Sequence, residues 1–130
     1  LLEKQLETAA DRHTLVCLHH QPLPMGSHWL DTMAVDNPKE VFTIIDKYPQ
    51  VRGILWGPGH QAYDGMDKGF KLMSSPSTCI QFLPNSDDFA VVTANPGYRW
   101  LELHADGRIE TGVERIATLP GRVDLASNGY

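Results

Sequence analysis

Between Thr14 and Trp56 two short apolar runs flank one amphipathic segment, and that spacing leaves few ways to fold. Thr14-Leu15-Val16-Cys17-Leu18 is continuous and rich in aliphatic and β-branched residues, which suits a strand covered on both faces. Val51 to Trp56 reads as a second strand of the same kind. Between them, Asn37 precedes Pro38 and lies three residues before Glu40, which combines an N-cap, a proline at the first helical position and an acidic capping partner. Val41, Phe42, Ile44, Ile45 and Tyr48 then form one apolar face, and Pro49 ends the helix. Two strands joined by a helical crossover of this length make a parallel βαβ unit, expected to be right-handed.

Leu2, Leu6 and Ala9 recur at helical spacing until Asp11-Arg12-His13, so residues 1 to 11 read as the end of a helix. A polar, proline-rich loop is expected from Gln21. After His60 the pattern changes to short strands at Gln61 to Tyr63, Phe70 to Met73, Phe89 to Thr93, Tyr98 to His104 and Arg108 to Ile116. Their joints are turn sequences at Gly65 to Gly69, Asn95-Pro96-Gly97 and Asp106-Gly107, the last a two-residue hairpin signal. Leu119 to Tyr130 reads as irregular. The expected fold is α/β, a mixed sheet with antiparallel hairpins toward the C-terminus.

At 130 residues and 42% hydrophobic content, the chain fits one domain with a real core. Its net charge of -5, with 16 acidic against 11 basic residues, argues against a nucleic-acid polymer or a membrane surface as partner. No apolar run approaches the roughly 20 residues of a membrane-spanning helix. The opening Leu1-Leu2-Glu3-Lys4 lacks methionine and the pattern of a secretory signal, and reads as a cut inside a larger protein. Two cysteines, Cys17 and Cys79, are too few for a disulfide framework and are expected to be reduced thiols in a cytoplasmic protein.

In open α/β sheets, functional groups gather past the C-terminal ends of parallel strands. The two strands of the βαβ unit end in His19-His20-Gln21-Pro22 and Gly57-Pro58-Gly59-His60. Neutral imidazoles on neighbouring strand ends supply nitrogen donors without added charge, as a transition-metal site requires. His20 and His60 are therefore candidate metal ligands, although either could equally be an ordinary surface or core histidine. His13, His28 and His104 read as ordinary side chains, and His19 as a neighbour of the site.

Leu15 to Pro24, with His20-Gln21-Pro22 at its centre, resembles the fourth motif of the calcineurin-like metallophosphoesterases, a strand ending in His-x-Pro. Gly57-Pro58-Gly59-His60-Gln61 sits where that family has Gly-His-x-His. Ser75 to Phe82, Leu101 to Gly107 and the ending Ala126 to Tyr130 are similar to its bacterial 3′,5′-cyclic AMP phosphodiesterase branch. The resemblance implies a four-layer αββα sandwich with two metal ions of iron, manganese or zinc type, bridged by a carboxylate and a hydroxide that attacks phosphorus in line. It implies that His20 binds one metal and His60 the other, with His19 beside the metals or on the substrate side. The remaining ligands would come from Asp-x-His, Gly-Asp and Gly-Asn-His motifs in an N-terminal half, none of which is expected in this chain.

Pro58 is the departure from that pattern. It stands where the first histidine of Gly-His-x-His belongs and offers neither a side-chain donor nor a backbone N–H. The chain is thus expected to be a single partial domain over residues 1–130, the C-terminal half of a cyclic-nucleotide phosphodiesterase. With its missing N-terminal half and an incomplete metal site, it is expected to be inactive alone and to self-associate. Two other readings stay open: a non-catalytic module pairing through an exposed strand edge, and a simple metal-binding protein using His20 and His60.

Overall fold

The computed structural model describes residues 1–118 and 121. The irregular ending expected from Leu119 and the resemblance at Ala126 to Tyr130 fall outside the described residues, apart from Gly121.

A four-stranded sheet carries the fold. Its strands are β1 (Thr14–Cys17), β2 (Val51–Trp56), β3 (Tyr63–Asp67) and β4 (Phe70–Ser74), in the order β1-β2-β4-β3. β1 and β2 run parallel, as the βαβ spacing requires, and β4 joins β2 in parallel while β3 returns antiparallel to β4. Helices α1 (Leu2–Thr8) and α3 (Pro38–Ile45) cover one face, with α2 (His28–Asp31) lying in the loop between β1 and α3. Leu6 and Ile45 from α1 and α3 meet Val16, Ile54, Trp56, Phe70 and Leu72 in one core. At Asn37 the capping differs from expectation: its side chain makes no bond to the helix backbone and donates to Glu40 Oε2 at 2.7 Å.

On the opposite face, strand register places Leu15, Gly53, Leu55, Lys71 and Met73 together. The antiparallel hairpin of β7 (Gly97–Leu103) and β8 (Ile109–Arg115) reaches this face through Ile109. Gly53 makes the approach possible, since a Cβ there would lie 3.0 to 3.2 Å from Met73 Cε, Ile109 Cδ1 and Leu15 Cδ1. Arg99 fastens the hairpin. Its guanidinium, 1% exposed, bonds both carboxylate oxygens of Asp64 at 2.8 and 2.9 Å, and donates to the carbonyls of Ser74 and Tyr63 and to Thr111 Oγ1.

Several expected boundaries move. The helix expected over residues 1 to 11 spans Leu2–Thr8, and the strand expected at Gln61 to Tyr63 begins at Tyr63 instead. Gly65, Met66 and Asp67, read as a turn, belong to β3, and only Lys68 and Gly69 turn, both at positive φ. The strand expected at Phe89 to Thr93 is reduced to β6 (Val91–Val92), paired with β5 (Gln81–Phe82). Asp106-Gly107 is not a two-residue turn. Ala105, Asp106 and Gly107 form a three-residue loop, closed by His104 N–H to the Arg108 carbonyl at 2.9 Å, with Gly107 at φ 86°.

Candidate functional site

His19 and His20 follow β1, and Gly57 to His60 follow β2, so the two candidate loops leave neighbouring parallel strands at the same sheet end. The backbone ties them: Leu18 N–H donates to the Leu55 carbonyl at 2.8 Å, and Gly57 N–H to the His19 carbonyl at 3.3 Å. The His19 and His20 rings meet edge to face at 4.9 Å, and both are exposed. Pro58 and Gly59 form the turn between β2 and His60. Gly59 is buried, and a side chain there would press on Leu30 Cδ2 at 3.3 Å.

His60 adopts φ 45°, a left-handed conformation that histidine tolerates better than branched residues do. Its imidazole stacks flat on Phe82, with centroids 4.1 Å apart and planes 7° from parallel. Burial pushes its pKa below the ordinary histidine value, and a hydrogen bond to the Ile80 backbone opposes this in part. Nδ1 is buried and without a partner. A ring nitrogen without a protein partner is what a metal-ligating histidine must offer.

The loop after His20 is more ordered than a polar, proline-rich sequence suggests. Gln21 is fully buried, donating from Nε2 to the Leu30 carbonyl at 2.7 Å, while Val35 N–H donates to the Gln21 carbonyl at 3.0 Å. Met25 N–H donates to Asp31 Oδ1 at 2.7 Å, closing the loop around α2. Ser86 N–H donates to the buried Ser27 Oγ at 3.2 Å, and Trp29 N–H to the Asp87 carbonyl at 3.1 Å. These bonds bring Trp29 against Phe82 and Phe89.

No carboxylate of the described residues joins His20 and His60 in a convergent group of three ligand atoms. The group of that kind lies elsewhere, on the β7–β8 hairpin, where ligand atoms of Glu102, His104 and Glu110 come within 4.8 Å of one another. His104 Nε2 is 3.2 Å from Glu110 Oε1 and 3.8 Å from Glu102 Oε1, and Arg108 pairs with Glu110. The sequence reading took His104 for an ordinary side chain, and nothing local marks the cluster, because residues 102 and 110 meet only once β7 and β8 pair. It borders a pocket lined by His13, Thr14 and Arg52, at the N-terminal ends of β1 and β2 and so opposite to His20 and His60. Asp11-Arg12-His13 also corrects the expectation that no Asp-x-His occurs here: the triplet is present, but it precedes β1, and His13 Nδ1 accepts from Arg52 Nε at 3.2 Å.

The donor set thus fits a metal in part. His60 offers an unpartnered nitrogen and His20 an exposed ring at the adjacent strand end, and among the described residues no carboxylate converges with the two. Among those residues no helix is long and apolar enough to cross a membrane.

No protein-family model matches the chain. It is 45% identical over all 130 residues to the 3′,5′-cyclic adenosine monophosphate phosphodiesterase CpdA of Pseudomonas aeruginosa, covering 48% of that protein. It is 46% identical over 129 residues to the protein of the same name from Escherichia coli strain K12, covering 47% of it. Against a 3′,5′-cyclic-nucleotide phosphodiesterase of Nostoc the identity is 40% over 115 residues, 88% of this chain and 43% of the relative. The chain spans about half the length of the curated relatives it matches, their C-terminal half. Over its whole length it is similar to this half of the bacterial 3′,5′-cyclic AMP phosphodiesterases.

Proposed function

We propose that this chain, as one partial domain, is the C-terminal part of a cytoplasmic dinuclear-metal phosphodiesterase that converts 3′,5′-cyclic AMP to 5′-AMP. The observation that carries the reading is the full-length match to about half of the cyclic AMP phosphodiesterases, with His20 and His60 leaving adjacent parallel strands. His60 and His20 would each hold one ion of iron, manganese or zinc type, and His19 would stand beside them toward the substrate. When bound, the ion pair supplies charge neutralisation at phosphate and an activated water. The rest of the ligand set, including the bridging carboxylate, would come from the N-terminal half.

The sheet face opposite α1 and α3, which the β7–β8 hairpin covers only in part, around Gly53 and Met73, supports the same reading. Leu15 and Leu55 are only half-buried, Cys17 is exposed and Met66 is 64% exposed, although they lie on the sheet side away from α1 and α3. A second sheet packed there would complete a four-layer αββα sandwich. Left uncovered, that face and the unpaired edge of β1 favour self-association.

The test measures cyclic AMP hydrolysis with Mn²⁺ by the chain alone and by the chain joined to the N-terminal half of the Pseudomonas aeruginosa relative, there with Pro58→His. No turnover is expected from the chain alone. The joined protein is expected to hydrolyse cyclic AMP and to lose that activity with His60→Ala. Turnover by the isolated chain, abolished by His60→Ala, would overturn the half-site reading, and an inert joined protein would overturn the phosphodiesterase reading. Light scattering across a concentration series reports association, and a strict monomer would argue that the open face needs no cover.

A further inference from the structure

We infer that Phe82 is a positioning residue for His60, fixing the plane of the imidazole so that its nitrogen is presented to a metal ion. This rests on the reading of His60 as a ligand. A metal bonds to imidazole in the ring plane, through a nitrogen at the ring edge. A neighbour packed edge-on would block that approach, whereas a neighbour stacked on the face leaves the edge open. The His60–Phe82 contact is of the second kind, nearly parallel at 7° and close at 4.1 Å.

Phe82 can act as a fixed surface because it is itself held. Trp29 meets it edge to face at 4.9 Å and 84°, and Phe89 at 5.4 Å and 65°. Trp29 and Phe89 also touch each other at 5.2 Å, which closes a three-ring block under the imidazole. The block is tied to the loop after His20 through Trp29 N–H to the Asp87 carbonyl and Ser86 N–H to Ser27 Oγ. The block thus limits the plane of the His60 ring, as surrounding residues do for metal-bound histidines generally.

A stacked aromatic pair contributes about 0.5 to 1.5 kcal/mol beyond buried area, which converts to about two- to tenfold in affinity. The experiment follows His20 and His60 ring-proton signals in this chain joined to the N-terminal half of the Pseudomonas aeruginosa relative, with Pro58→His, while Mn²⁺ is added, reading paramagnetic broadening. In the wild type both rings are expected to broaden. Phe82→Leu should raise the Mn²⁺ concentration needed at His60 by about two- to tenfold and leave His20 unchanged, while Phe82→Tyr should restore the wild-type response. Phe89→Leu loosens the same block without touching His60 and should cause a smaller loss than Phe82→Leu. If neither histidine broadens in the wild type, the metal reading itself fails. If both broaden and Phe82→Leu matches the wild type, or Phe89→Leu causes an equal loss, the positioning role fails alone. A second measurement needs no variant: cross-relaxation between the His60 and Phe82 rings should persist when Zn²⁺ saturates the site. Its disappearance on Zn²⁺ binding would overturn the inference.

Discussion

Pro58 occupies the turn between β2 and His60, at the position where the related motif carries its first histidine. Proline cannot ligate, so on the proposed reading the ion that His20 would hold loses a nitrogen donor while the one that His60 would hold keeps its own. In protein completed with a relative's N-terminal half, Pro58→His is expected to raise bound metal from about one to about two ions per chain, with hydrolysis gained alongside. Metal analysis after gel filtration reads this directly, and equal stoichiometry with and without the change would show that another group fills the position. His60 also makes a pH prediction. Burial lowers its folded-state pKa below 6.5, so the unfolded chain takes up this proton first as pH falls. The stability that His60 contributes is complete above that value and declines as the pH drops below it. Urea midpoints measured between about pH 5 and 8 should show the decline, and His60→Gln should flatten it.

Among the elements, the β7–β8 hairpin depends on one side chain that no local pattern advertises. Arg99 spends its donors on Asp64, Ser74, Tyr63 and Thr111, joining the hairpin to β3 and β4. Lysine cannot reproduce that planar fork, so Arg99→Lys is expected to cost about 2 to 4 kcal/mol of unfolding free energy. Asp64 is 62% exposed, and Asp64→Asn should cost no more than about 1 kcal/mol. Denaturant unfolding of both variants checks the order, and a neutral Arg99→Lys would remove Arg99 as the fastening. The elements that were legible in the sequence share a cause. β1, β2 and α3 carry continuous apolar runs or a full amphipathic face with proline punctuation, signals that local burial enforces. β3 was misplaced because Tyr63, Asp64 and Met66 are exposed on an edge strand and so show no buried alternation. α2 is a single turn, too short to show a period. The strand-end placement of His20 and His60 was readable from the βαβ pattern, whereas Phe82 was not, because its stack spans 22 positions and exists only after the loops pack.

For the molecule as a whole, the strand order β1-β2-β4-β3 sets β3 outside β4, although β3 comes first in the chain. The consequence is kinetic. β3 and β4 are joined by the two-residue turn at Lys68-Gly69 and can pair within microseconds of collapse, while β4 reaches β2 and β1 only by closing longer loops. Gly69 sits at φ 94°, where a branched side chain is strained, so Gly69→Val tests the early step and Leu15→Ala in β1 tests the late one. In stopped-flow refolding, Gly69→Val is expected mainly to slow folding and Leu15→Ala mainly to hasten unfolding. The reverse partition would place the parallel pairs first. If the expected order holds, the loop bearing His60 begins at a β2 that is still unpaired when the hairpin forms. The imidazole's setting would then be among the last parts of the protein to be assembled and the first exposed as it opens.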